Sequence, residues 1–415
     1  MNQHTLGALA VFALGSLSAT ALGHGPVTRK ADADAAEARL FTADSETGTV
    51  VAVDLPNGRI VARLATPPFI LSLALSNDGK FVFAMRGRDT DRDTITVIDP
   101  GMSTASGHGR FPTIARTFVG SAPGGTHDGL LASVGGQDAI FQEGVGQIDI
   151  FGGNDFGSLS GIPVRQIKLA APDHYFFLEA GNHLYVGHLA KSLVQILDRE
   201  TGTEVGRIGN CPVLHGMGRD ETTGRLFFAC MKDVLVVGTK GDEADREISR
   251  IPYPTEQRIG VLIKGKNRVL WGSTEGALPA LYRLNPAREP YQFDTVPVES
   301  SIQLAGTEDG SILMVYSRNG TLDIRDGGDG KLIRQVRISG PFVKEYHEHV
   351  DRAILPDILA IGDRAYISVP PEGVIGEVDI KQGKVLRRIN VGGQPTRLLT
   401  VKAASESKPD ESATH

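Results

Sequence analysis

The chain reads as an all-β protein, a β-propeller of four-stranded blades, and three observations carry that reading. A short apolar run recurs eight times between Arg39 and Ser368. Four of these runs begin at 182, 225, 268 and 311, each 43 residues after the last. Most are followed by a second run ending in Asp and then by a turn containing Gly. Four short strands every ~40–45 residues make one blade, and a pair of β-sandwiches does not produce a fixed period. Eight units predict eight blades; the count falls to seven if one unit is split.

Taken in order, the chain starts with an export signal. Leu6 to Leu17 is apolar but too short to cross a bilayer permanently, and Ala19-Thr20-Ala21 suits cleavage by signal peptidase. Residues 1–21 are therefore expected to be removed. Residues 22–37 are small and charged and read as a mobile arm carrying His24. Residues 38–402 form the propeller, and 403–415 read as a disordered tail. No other stretch is apolar enough to insert in a membrane, and the mature chain is expected to be a soluble monomer. The net charge of −6 and the lack of any Lys/Arg run argue against nucleic acid as a partner.

Each unit opens on a strand such as Arg39-Leu-Phe-Thr-Ala, Lys80-Phe-Val-Phe-Ala, Arg225-Leu-Phe-Phe-Ala or Arg364-Ala-Tyr-Ile-Ser. A second strand ends in Asp at Asp54, Asp99, Asp149, Asp198, Asp326 and Asp379. Asp suits the following turn because it accepts bonds from nearby amides, and Gly because it accepts positive φ. A third strand runs outward, as in Arg59–Leu64, and a fourth completes the unit, as in Leu71–Ser76 and Arg397–Val401. The spacings after 80 and 311 are longer and imply insertions.

The repeat brings histidines into register. His127, His174 and His215 each precede a fourth strand, in consecutive units. Equivalent positions of successive blades converge on the propeller axis, so three imidazoles can meet around one ion. Zn²⁺ accepts three His and a fourth ligand in a tetrahedron. Asp128 and Asp173 adjoin two of the histidines as fourth ligands or as acceptors for a ring N–H. His347 and His349, in Glu345-Tyr-His-Glu-His-Val-Asp351, share one face if the segment is a strand. They are additional candidates, as is His24. His183 and His188 read as structural, and His108 is given no role.

Cys211 and Cys230 are the only cysteines. In an exported protein an even pair is normally a disulfide, which here would tie the His215 loop to its neighbour. The rival reading makes Cys211 and His215 zinc ligands together. No G-x-S-x-G, phosphate-binding Gly loop or H-E-x-x-H motif is present.

Cys211-Pro-Val-Leu-His215-Gly, the strand ending in Cys230, and Asp233-Val-Leu-Val-Val resemble the AztD-type periplasmic zinc metallochaperones. The resemblance implies a periplasmic propeller that binds zinc through channel histidines. It further implies delivery of that zinc to the zinc-binding solute-binding protein of an ABC importer, with no enzymatic activity. The chain departs from the pattern in two places. Its arm holds one histidine where relatives are His-rich, and Lys232-Asp stands where they have Asp-Gly. The alternative function is a lactonase-like propeller hydrolase with a metal in the channel and Asp128 or Glu348 as base.

Overall fold

The computed structural model describes residues 38–403, apart from 45–46, 56, 69, 87–93, 103–109, 120–130, 153–162, 275–278 and 342–353. The strands form eight four-stranded antiparallel sheets, so the propeller has eight blades and the seven-bladed count is set aside. Among the described residues the only helices are single 3₁₀ turns.

Seven blades are built from four consecutive strands. Their first strands are Ile70–Leu75, Leu131–Val134, Tyr175–Ala180, Gly216–Arg219, Ile259–Lys264, Ser301–Gly306 and Ile358–Ile361. The eighth such strand, Pro395–Lys402, is the last among the described residues. It pairs with Ala38–Asp44 and completes a blade whose other three strands come from the beginning of the fold. Adjacent blades meet through these strands, which occupy the innermost position.

The sequence repeat and the blade are therefore offset by one strand. The run that opens each repeat is the second strand of a blade, and the run that ends it is the first strand of the next. The offset is what lets the two ends of the fold share one sheet.

The second and third strands are apolar at nearly every position because both faces are covered. In Leu226–Ala229, Leu226 and Phe228 join one buried cluster and Phe227 and Ala229 join another. Each face packs against a different neighbouring blade, as the period-two alternation of a strand requires. Every one of the eight blade interfaces has its own apolar cluster of this kind. The core is thus a ring of eight interfaces around an axis.

The turns follow the expected chemistry. Asp198 ends its strand and accepts bonds from the amide and hydroxyl of Thr201 at 2.7 and 2.8 Å. Gly202 closes the turn at φ +74°, donating its amide to the Asp198 carbonyl.

Candidate metal centre

His174 and His215 occupy the residue just before the innermost strand of two adjacent blades. They share one end of the propeller, and their ring centres lie 5.9 Å apart. Two imidazoles on one tetrahedral zinc, with metal–nitrogen distances of ~2 Å, have ring centres roughly 5 Å apart. The observed separation is within about 1 Å of that spacing.

The two rings are held by different supports. His174 Nδ1 lies 2.8 Å from Glu143 Oε1. Glu143 belongs to the preceding blade, in the 3₁₀ turn Glu143–Val145 between its second and third strands. It is 4% exposed, and the same oxygen also accepts the Tyr175 amide at 3.2 Å. His215 Nδ1 lies 2.9 Å from the Gly260 carbonyl on the innermost strand of the following blade. A carbonyl only accepts, so His215 carries its proton on Nδ1 and presents Nε2 as the metal-binding nitrogen. Gly216 allows the two strands to lie this close, because a Cβ there would come within 3.2 Å of Gly260. Phe176 sits against both rings, its centre 4.8 Å from each.

The turn carrying His215 is fastened from several sides. Cys211 and Cys230 are joined as a disulfide, both buried, so Cys211 is not offered as a zinc thiolate. The Cys211 amide bonds the Ser192 carbonyl, the Met231 amide bonds that of Pro212, and Arg258 bonds that of Val213. Asn210 and Val213 adopt positive φ, at 59° and 51°, a backbone that ordinary residues keep only where the surroundings enforce it.

Asp173 turns its carboxylate to the amides of Ala190 and Lys191, at 2.8 to 3.1 Å, and so closes a loop beside His174. His188 is fully buried, with Nε2 3.1 Å from Gln195 Oε1, and burial lowers its pKa. His183 Nδ1 meets Asp245, which also accepts the Tyr185 hydroxyl. His127 and Asp128 lie outside the described residues, as do His24, His347 and His349. Among the described residues no group of three or more His, Cys, Asp or Glu side chains is placed to hold one ion. Glu143, Gly260 and Phe176 escaped the sequence reading. Glu143 and Gly260 lie 31 and 45 residues from the histidine each supports, and a backbone carbonyl leaves no trace in a sequence.

No family model matches the chain. It is 24% identical to the zinc chaperone AztD of Citrobacter koseri, over 93% of this chain and 91% of the relative. The solved structure of apo AztD from that organism superposes with a TM-score of 0.70, at 20% identity, covering 88% of this chain and 97% of the other. The dihydro-heme d1 dehydrogenase NirN shares the fold at a TM-score of 0.62 and 13% identity, covering 89% of this chain and 76% of its own. The resemblance to AztD-type proteins, read first from residues 211 to 237, thus extends across 93% of this chain.

Proposed function

We propose that this protein carries zinc outside the cytoplasm and hands it to the solute-binding protein of a zinc importer. The observation that carries the reading is the paired support of His174 and His215. Each ring is anchored through Nδ1 by a group from a neighbouring blade, which leaves Nε2 as the metal-binding nitrogen, and the two ring centres lie 5.9 Å apart. An outer partner on the non-ligating nitrogen is the usual arrangement for a metal-bound histidine. Whole-length similarity to a zinc chaperone supports zinc as the cargo. The disulfide supports an oxidising compartment and hence export to the periplasm.

His127 is the proposed third ligand, on its equivalent place in the repeat. Three imidazoles leave the fourth position of zinc for an exchangeable group, and a carrier needs that opening if it is to pass its ion on.

The test is metal content by mass spectrometry on protein purified without an affinity tag. The wild-type chain is expected to hold about one zinc, and His174→Ala and His215→Ala to lose it. Mixing the loaded protein with a zinc-free solute-binding protein should move the ion. A wild-type chain that neither contains zinc nor takes it up tightly would sink the proposal.

A further inference from the structure

Glu143 is buried, acidic and unrelated to the histidine repeat. One of its oxygens holds His174 and the Tyr175 amide. The other, Oε2, is buried and has no hydrogen-bond partner among the described residues. A carboxylate oxygen withdrawn from water and left unmatched costs free energy, and such groups persist where a positive charge offsets them.

We infer that Glu143 is a positioning residue for zinc, acting on the ion through His174; the inference rests on the carrier reading above. The carboxylate accepts the Nδ1 proton. That fixes the tautomer and leaves Nε2, on the far side of the ring, to bind the metal. The same negative charge polarises the imidazole and makes Nε2 a better donor to a cation. Glu143 is not itself a ligand of that ion. It lies against the Nδ1 edge, with the width of the ring between it and a metal on Nε2. His215 has only a neutral carbonyl in the corresponding place. The two histidines are therefore unequal, and His174 is the stronger donor.

The test uses the full chain with zinc and with Co²⁺ as probes. Glu143→Gln keeps an acceptor for the Nδ1 proton and removes the charge; Glu143→Ala removes both. Chelator competition should show zinc binding weakened about tenfold or more in Glu143→Ala, with Glu143→Gln in between. The visible spectrum of the Co²⁺ protein should change in Glu143→Ala. Imidazole ¹⁵N NMR of the metal-free protein should show His174 as the Nδ1–H tautomer in the wild type and a mixture in Glu143→Ala. This last measurement needs no zinc, so it separates failure of the inference from failure of the carrier reading. Wild-type affinity in both variants, or an unchanged His174 tautomer in Glu143→Ala, would overturn the role assigned to Glu143. Should Glu143→Ala fail to fold, Glu143→Gln alone carries the affinity test.

Discussion

Imidazoles bind zinc and protons through the same lone pair, so the His174–His215 centre is expected to lose zinc as pH falls through about 6. Competition titrations at pH 7.5 and pH 5 check this, and equal affinity at both would argue against histidine ligands. A carboxylate elsewhere gives a second, independent pH signature. Burial alone would raise the Asp220 carboxyl, but bonds from Arg268, Thr223 and the Thr222 amide more than offset it and hold it below the usual range. A depressed folded-state pKa contributes stability that is complete above the unfolded value near 4 and is lost as pH falls through the lower one. Asp220→Asn should therefore lower the melting temperature at pH 7, and the gap to wild type should narrow as pH falls below the unfolded value near 4. A gap that stays constant with pH would refute the linkage. At this scale the sequence was informative where the repeat was. His174 and His215 could be singled out because they hold equivalent places in adjacent units. Asp173 drew notice as a neighbour of His174, and its oxygens accept the amides of His174, Ala190 and Lys191.

The turn from Cys211 to Gly216 shows how an element can be specified by its attachments. Its strand is short, only Gly216–Arg219, and by itself gives His215 little support. Rigidity comes from the disulfide, from Arg258, and from the paired amides on either side. Replacing both cysteines with serine removes a cross-link closing a loop of about 20 residues, which should cost about 3 kcal/mol. The emission of Trp271, the single tryptophan, fully buried in another blade, reports that loss during unfolding. Zinc affinity should fall in the same double variant, because His215 loses its anchor. Undiminished stability would mean that the hydrogen bonds alone hold the turn. The elements themselves were plain in the sequence, since runs buried on both faces are unbroken apolar segments and their turns carry Asp and Gly. The strand offset was not plain, because a repeat has no intrinsic starting point. Only pairing between Pro395–Lys402 and Ala38–Asp44 reveals where one blade ends.

For the whole molecule, each blade leans on two others through apolar clusters, so no blade face is left uncovered while the ring is closed. Removing residues 395 onward should uncover the Ala38–Asp44 edge and the clusters on either side. Size-exclusion chromatography should then show aggregated protein, and a monodisperse, cooperatively folded truncation would contradict this account. A circular permutant makes the complementary case. Ala38 lies opposite Lys402 in the register, so a short turn can join them, with new termini opened in the exposed turn near Asp329. That permutant should fold, and on the proposed function it should take up zinc with the affinity of the wild-type chain.

The shared blade also orders events in the life of the molecule. When His174 and His215 have been made, more than half of the described strands, from Gly216–Arg219 to Pro395–Lys402, are still to come. At that stage the histidines exist without the frame that sets their spacing. Metal caught then would be held by a floppy chain, free to take any ion that copper-first affinity prefers. On the proposed function, selective loading would therefore be an act of the finished protein. It would begin only after the final strand, the most distant from the histidines in sequence, has been laid in beside the first.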